Sequence, residues 1–243
     1  MSRFYISVEV FMICFMVVVL NFLMHPMKFK ISSRTRQNWQ FYDKNIFPLS
    51  IIPKGSVDYT LDGQIFGQLA ELPDGIENNC LVGLWGGYLF SAGGSAYYTV
   101  LERAYIYSNT RDEWNQVADM ITPRERPSCG AVLTGDGSQQ EVIVAGGTTD
   151  FVEASDVVEI FSVRDHNWRM ANPLPSPIVE GTAVKLDNTF LILGGASDKL
   201  SDLIYKYHAE DDTWELLDAK LTTPARGVAA TMVSSFIFPS CQL

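Results

Sequence analysis

The stretch AGGSAYYTVLERAYIYSNTRDEW, residues 92–114, begins with a glycine pair and ends on a tryptophan, with strand-like residues between them. Two later stretches repeat this arrangement: AGGTTDFVEASDVVEIFSVRDHNW ends at Trp168, and LGGASDKLSDLIYKYHAEDDTW ends at Trp214. The glycine pairs are 53 and then 48 residues apart. A self-similarity with a period of about 20 to 50 residues predicts a repeat protein.

Each repeat also contains a pair of aromatic residues with a fixed spacing. A tyrosine or phenylalanine stands seven positions before each tryptophan, and the residues between them are polar. This pattern predicts a hairpin whose aromatic residues face each other across the two strands. A second hairpin pattern precedes each glycine pair, so each unit has four short strands. The motif residues are Gly93, Gly94, Tyr107 and Trp114, then Gly146, Gly147, Phe161 and Trp168, then Gly194, Gly195, Tyr207 and Trp214.

The double glycine at a strand end, the aromatic spacing and the period together resemble the kelch repeat of β-propeller proteins. The resemblance implies an all-β fold, a kelch-type β-propeller of four-stranded antiparallel blades around a central channel. The glycines are then expected to permit positive φ and close backbone approach, and the tryptophans to fill the space between blades. The propeller is expected over residues 57–243, with full units at 80–128, 129–180 and 181–226 and partial units at about 57–79 and 227–243.

Three full blades and a composite or partial fourth lie at the low end of the range of blade numbers. Either the two partial units complete a small closed ring, or the chain is a truncated product that forms an open arc. We favour truncation, because a chain that stops inside a hairpin leaves an unpaired strand edge.

The N-terminal segment differs in composition from the repeats. Residues 1–27 contain the apolar run VFMICFMVVVLNFLM at 10–24, and residues 28–56 form a basic linker. A membrane-spanning helix needs about 20 apolar residues and a secretory signal core about 7 to 15. The run therefore fits either a helical membrane anchor over residues 6–24 or a cleaved signal, which predicts a membrane-anchored or secreted protein. The protein would be cytoplasmic if translation began after the run.

Cys80 and Cys129 stand at the start of the first strand in adjacent units, where a disulfide is one alternative. The Cα atoms of a disulfide must lie within about 7 Å of each other. Since neighbouring innermost strands need not approach so closely, we expect two buried free thiols.

The charge and the chemistry of the chain exclude several functions. The net charge is −10, and residues 1–40 contribute +4, so the remainder contributes −14. A domain this acidic repels phosphate backbones, which argues against nucleic-acid binding. The three histidines are not clustered, and no metal-binding or catalytic motif is present. We therefore predict no catalytic residue, no metal and no cofactor.

A non-catalytic protein-interaction module is the function that this pattern favours. In kelch propellers, partners dock on loops that lead into each first strand and loops that follow each glycine pair. Here these loops are 73–79, 122–128, 175–180 and 223–227, together with 95–102, 148–156 and 196–202.

We predict that the binding residues for an unknown protein or acidic peptide lie in these loops. Arginine offers a rigid fork for a carboxylate, and the alternative is that the arginines pair with acids of the same chain. The candidates are Arg124, Arg126 and Arg226, with Glu125, Glu180, Asn78 and Asn79.

Two other functions stay open. A carbohydrate-active propeller, such as a sialic-acid-processing enzyme, needs acids and arginines that converge at the channel mouth, and a galactose-oxidase-like enzyme also needs histidine ligands for copper. The second alternative is a truncated product without independent function.

Overall fold

The computed structural model describes residues 16–19, 47–52, 56–60, 66–134, 137–186, 189–228 and 230–233. The regular structure of these residues is almost entirely antiparallel β-sheet, with two single-turn 3-10 helices at Pro73–Gly75 and Trp85–Gly87. The first strands in chain order are β1 (Met16–Val19), β2 (Phe47–Ile52), β3 (Ser56–Thr60), β4 (Phe66–Leu69), β5 (Cys80–Gly83), β6 (Leu89–Ala92), β7 (Ser95–Ala96), β8 (Thr99–Val100), β9 (Ala104–Ser108) and β10 (Glu113–Gln116). They are followed by β11 (Ser128–Leu133), β12 (Gln140–Ala145), β13 (Val158–Ser162), β14 (Asn167–Met170), β15 (Thr182–Leu186), β16 (Thr189–Leu193), β17 (Ile204–His208), β18 (Thr213–Leu216) and β19 (Ala230–Val233).

Three sheets have four strands each, and within each sheet the strands lie side by side in chain order. They are β5-β6-β9-β10, β11-β12-β13-β14 and β15-β16-β17-β18. The predicted hairpins are present. Tyr107 pairs with Trp114 in the first of these sheets, and Tyr207 pairs with Trp214 in the third. Phe161 and Trp168 pair in the same way in the middle sheet.

The three sheets are arranged like the blades of a fan. Their first strands contact one another, β5 with β11 and β11 with β15, and β15 contacts β19. Apolar side chains fill the wedge between neighbouring sheets: Phe90 of the first sheet lies 4.8 Å from Phe161 of the second, centroid to centroid. A second cluster joins Ile160 to Phe190 of the third sheet. The chain therefore has a propeller-like all-β fold.

The partial units are less regular. β2, β3 and β4 form a three-stranded sheet, and β1 pairs with β19. Tyr59 stands seven residues before Phe66, as in the complete units, but it pairs with Gly67 between β3 and β4, so the register of this unit differs by one position. Apart from β1, the predicted helical anchor over residues 6–24 lies outside the described residues. Within the described part of the chain, no helix combines the length and the apolar character that crossing a membrane requires.

The structure corrects the expectation of free thiols. Cys80 and Cys129 are joined by a disulfide, with their Cα atoms 5.8 Å apart. Both side chains are buried in the wedge between the first two sheets. Because the first strands of neighbouring sheets contact each other, the distance that argued against a bridge is within the range that a disulfide requires.

The aromatic residues also lock each sheet to the preceding one through hydrogen bonds. The indole Nε1 groups of Trp114, Trp168 and Trp214 donate to the carbonyl oxygens of Ala70, Ala118 and Asn172, which all follow the last strand of the preceding unit, at 2.8, 2.7 and 3.0 Å. The tryptophans therefore contribute both packing and a directed bond between units.

The paired glycines allow close backbone contacts between units and within a unit. Gly147 has φ +90°, and a Cβ on it would lie 2.6 Å from the carbonyl oxygen of Glu125 in the preceding unit. The first glycine of the pair contacts the loop that ends its own unit. Gly146 has φ +69°, and a Cβ on it would lie 2.3 Å from the carbonyl oxygen of Ile178. Any larger residue would push this loop away, so the contact requires glycine.

Candidate interaction face

The positions that lead into the innermost strands share an unusual backbone conformation. Asn78, Arg126, Glu180 and Gly227 occupy equivalent places in successive units, and their φ values are +57°, +52°, +56° and +57°. Three of the four are not glycine, and such residues adopt a left-handed conformation only at a cost. The chain needs this conformation because it turns there from the outer edge of one sheet into the centre of the next.

Backbone hydrogen bonds join these four positions into an arc. The amide of Arg126 donates to the carbonyl of Asn78 at 2.7 Å, that of Glu180 to Arg126 at 3.1 Å, and that of Gly227 to Glu180 at 2.9 Å. The arc passes beside the start of each first strand, and we call it the mouth arc. It places three different polar side chains at equivalent positions of one face.

Glu125 lies directly beneath this arc and holds it together. Its carboxylate is buried, with 1% of the side chain exposed. It accepts hydrogen bonds from the Ser95 hydroxyl at 2.7 Å and the Asn78 side-chain amide at 3.3 Å, and it forms an ion pair with Arg126. The candidate Glu125 is therefore a support for the face and is not accessible on it.

Arg126 and Arg226 are both paired with Glu180. Arg126 Nη1 lies 3.2 Å from Glu180 Oε1, and Arg226 Nε lies 3.5 Å from Glu180 Oε2. Partial burial by itself lowers the pKa of Arg126, but the hydrogen bonds and charges of Glu125 and Glu180 outweigh burial, so its pKa is raised. The side chain of Arg126 is 29% exposed and that of Arg226 is 44% exposed, so both reach the surface while paired.

Arg124 is not a surface residue, and the prediction that it binds a partner is wrong. Its side chain is 1% exposed and forms an ion pair with Glu159 of β13, which is also fully buried. Its Nη1 donates to the carbonyl of Val157 at 2.7 Å. Burial lowers the pKa of Arg124, and the charge and hydrogen bond of Glu159 act against this effect. Arg124 therefore joins the loop to the second sheet.

Asn79 also points away from the face, in contrast to the prediction. It is 6% exposed, and its side-chain amide donates to the Ser91 hydroxyl at 2.7 Å and to the Cys80 carbonyl at 3.0 Å. Of the predicted set, the structure thus brings Asn78, Arg126, Glu180 and Arg226 together at the surface of the mouth arc.

The loops that follow the glycine pairs present apolar residues that the sequence prediction did not single out. Each loop has one or two large side chains at its tip, and these are Tyr97, Tyr98, Phe151, Val152 and Leu200. The available signal was their common position, three to five residues after the second glycine.

A cavity of about 410 Å³ lies on the opposite face, between the first two sheets. The exposed Trp85 and Tyr88 line it together with His166. His166 belongs to an outer hairpin turn, and the described residues contain no group of three or more His, Cys, Asp or Glu side chains placed to hold a metal ion.

The architecture and this face define the class: an all-β protein of propeller-like fold with a polar arc at one end of its central strands. No protein-family model matches the chain. No curated protein matches it either. Among solved structures, 204 chains match, and one of them is the structure of YjhT, with a TM-score of 0.58 and 12% sequence identity.

The match covers 71% of this chain and 61% of YjhT. The chain therefore spans less than two thirds of the length of that neighbour. At this identity the likeness concerns the fold alone, and it supports the propeller-like architecture described above.

Proposed function

We propose that the chain is a kelch-type propeller segment that acts as a non-catalytic protein-binding module through its mouth arc. The observation behind this proposal is the left-handed backbone shared by Asn78, Arg126 and Glu180. Backbone strain of this kind is concentrated at functional sites, where the surrounding structure maintains it. Here it places an amide, a guanidinium and a carboxylate at equivalent positions of one face.

The kelch assignment rests on three features that recur in each complete unit. The glycine pair has positive φ at both positions, the aromatic pair is in register, and the tryptophan bonds to the preceding unit. A propeller built from such units leaves its loops free to vary, and binding residues are found on such loops.

The test is a peptide-binding experiment with the purified chain. Displayed random peptides are selected on the immobilised protein, and the affinity of the enriched peptides is measured by calorimetry. For enriched peptides that carry acidic residues, we expect Arg126→Ala to weaken binding by about 10-fold or more, because an arginine that anchors an interface is worth roughly 1.5 kcal/mol or more. Asn78→Ala should weaken binding as well.

Arg169→Ala provides the matched control. Arg169 is an arginine on the outer strand β14, is 48% exposed and pairs with Glu141. Removing it should leave peptide affinity unchanged. Equal losses in both variants, or no enriched peptide at all, would contradict the proposal. A chain that cannot be obtained as a soluble monomer would favour the hypothesis of a truncated product without independent function.

One observation favours a second candidate, a carbohydrate-active propeller. Glu125 and Glu180 do converge with Arg126 and Arg226, as such an enzyme would need. Glu125, however, is buried and accepts hydrogen bonds from Ser95 and Asn78, so it is poorly placed to meet a substrate. Turnover of sialylated or galactose-containing glycans by the purified chain would establish the enzyme; a lack of turnover together with peptide binding would support the module.

The disulfide supports a further part of the proposal, a membrane-anchored or secreted location. Disulfides persist in oxidising compartments and are rare in the cytosol. Mass spectrometry of the natural polypeptide without reduction would show whether Cys80 and Cys129 are bridged, and reduced cysteines in that sample would contradict this location.

A further inference from the structure

Three consecutive loops on the face of the mouth arc carry exposed apolar tips. Tyr97 and Tyr98 are 89% and 98% exposed, Phe151 is 43% exposed, Val152 81% and Leu200 47%. These residues follow the glycine pairs of the first, second and third complete units. Side chains so exposed add little to the packing of the fold. A repeated apolar tip at equivalent loop positions indicates a contact with another molecule.

The tyrosine pair also occupies a turn that disfavours it. β7 and β8 form a hairpin in which Ala96 pairs with Thr99, so Tyr97 and Tyr98 are its two central residues. Their φ values are +49° and +65°. Two-residue hairpin turns with positive φ at both positions strongly prefer Asn-Gly, and bulky residues there are outliers. Phe151 has φ +68° in the next loop. Three aromatic residues are thus presented in unfavourable backbone conformations.

The charge of the same face indicates what these aromatic residues meet. The loops of this face are 73–79, 95–102, 122–128, 148–156, 175–180, 196–202 and 223–227, together with Arg103, which directly follows the second of them. Their side chains that are not buried include nine carboxylates and four cations, which gives a net charge of −5. The carboxylates are Asp74, Glu77, Glu102, Asp150, Glu153, Asp156, Glu180, Asp198 and Asp202, and the cations are Arg103, Arg126, Lys199 and Arg226.

Most of the cations already have acidic partners in the chain. Arg103 pairs with Asp74, and Arg126 and Arg226 pair with Glu180. An acidic ligand would have to compete with these carboxylates and would approach a surface of the same sign. A cationic ligand meets an excess of carboxylates, and the faces of the tyrosine rings attract ammonium and guanidinium groups.

We propose that this face binds a cationic segment of a partner protein, rich in arginine or lysine, with Tyr97 and Tyr98 against its charged side chains. This inference rests on the proposed protein-binding function and specifies the partner. It replaces the acidic peptide that the arginines alone suggested.

The experiment compares two labelled peptides of equal length, one of alternating Arg and Gly-Ser and one of alternating Asp and Gly-Ser. Their binding to the purified chain is followed by fluorescence anisotropy at low and at physiological ionic strength. We expect the arginine peptide to bind, more weakly at the higher salt because exposed charges are screened. Tyr98→Ala should weaken binding by about 2- to 30-fold, the range of a cation–π contact.

Two control variants separate the face from the rest of the surface. Tyr88→Ala removes a tyrosine that is 41% exposed on the opposite face. This variant should bind the arginine peptide with the same affinity as the unmodified chain. Glu153→Gln in the loop 148–156 should weaken binding, whereas Glu210→Gln in the turn between β17 and β18 should not.

The outcomes distinguish this inference from the function on which it rests. If the aspartate peptide binds instead and Arg126→Ala abolishes its binding, the protein-binding function stands and the cationic partner is wrong. If the arginine peptide binds equally well to Tyr98→Ala, Tyr88→Ala and the unmodified chain, attraction is non-specific and the inference fails. If neither these peptides nor a displayed library binds, both proposals fail.

Discussion

Arg124 and Glu159 show at the scale of the residue how burial changes the role of a charge. The pair is fully buried, and Glu159 also accepts hydrogen bonds from the amides of Ile121 and Thr122 at 2.7 and 3.0 Å. Removing one member of a buried pair leaves an uncompensated charge and costs about 3–5 kcal/mol. We therefore expect Arg124→Met to lower the free energy of unfolding by about this amount, measured by urea denaturation.

The double variant Arg124→Met/Glu159→Gln tests the reason for this loss. It removes both charges, so it should be more stable than Arg124→Met alone although it has one more substitution. Equal or greater destabilisation in the double variant would show that packing around Arg124, and not the unpaired charge, is responsible.

Asp112 gives a prediction for the pH dependence of stability. Its pKa is lowered by the hydrogen bond from the Tyr107 hydroxyl at 2.7 Å and then by that from the Ala70 amide at 2.8 Å. A carboxyl with a lowered folded-state pKa contributes stability above its unfolded pKa of about 3.9, and this contribution is lost as the pH falls through the folded value. The stability difference between the unmodified chain and Asp112→Asn should thus shrink below about pH 4.

Tyr107→Phe is the matched variant for this pH effect. It removes the hydroxyl donor but keeps Asp112 and the ring. We expect a smaller pH-dependent component in Tyr107→Phe than in the unmodified chain, from denaturation midpoints between pH 6 and pH 3. An identical pH dependence in the two proteins would contradict the assigned cause.

Sequence reasoning could not place single residues such as Arg124. Its partner Glu159 lies 35 positions later on another sheet, and nothing local distinguishes Arg124 from Arg126. The mouth arc was hidden for a related reason. Asn78, Arg126 and Glu180 are different residue types, so their common backbone conformation leaves no repeated letter in the sequence.

The hairpin is the element at which sequence and structure agree most closely. Its two aromatic residues face each other because strand register is set locally by the length of the turn, so a fixed spacing of seven predicted the pairing. The middle hairpin nevertheless differs in chemistry. In the corresponding hairpins of the first and third complete units, a tyrosine hydroxyl donates to an aspartate, from Tyr107 to Asp112 and from Tyr207 to Asp212. The middle unit has Phe161 and His166 at these places.

Restoring the tyrosine and aspartate in the middle hairpin should stabilise the protein. In the neighbouring units the aspartate also accepts a bond from a backbone amide of the preceding unit, as Asp212 does from Asn172. We expect Phe161→Tyr/His166→Asp to raise the free energy of unfolding by about 0.5–1.5 kcal/mol, the net value of one hydrogen bond.

The two single variants serve as controls in a double-mutant cycle. Each supplies only one partner of the new hydrogen bond, so neither should stabilise the chain as much as the pair does. A double variant with no favourable coupling, measured by urea denaturation, would show that the middle hairpin cannot adopt the geometry of its neighbours.

At the scale of the whole molecule, the disulfide connects the first two sheets. It closes a loop with a sequence separation of 49 residues between two buried cysteines. Loss of a bridge of this kind costs about 2–5 kcal/mol, mainly because the unfolded chain regains freedom. We expect a reductant to lower the denaturation midpoint of the unmodified chain accordingly.

Cys80→Ala/Cys129→Ala provides the comparison. This variant should have the lower midpoint from the start and should not respond to the reductant. If the unmodified chain and the variant respond alike, the reductant acts through something other than this bridge.

The bridge also has a mechanical consequence. A chain pulled from its two ends lengthens as its sheets come apart, and each freed residue adds about 3.4 Å of contour. The disulfide between Cys80 and Cys129 carries this force, so the segment between the two cysteines is not extended. Roughly 170 Å of extension therefore becomes available only after the disulfide is reduced. Under load, the first unit remains covalently joined to the start of the second after the later units have unfolded.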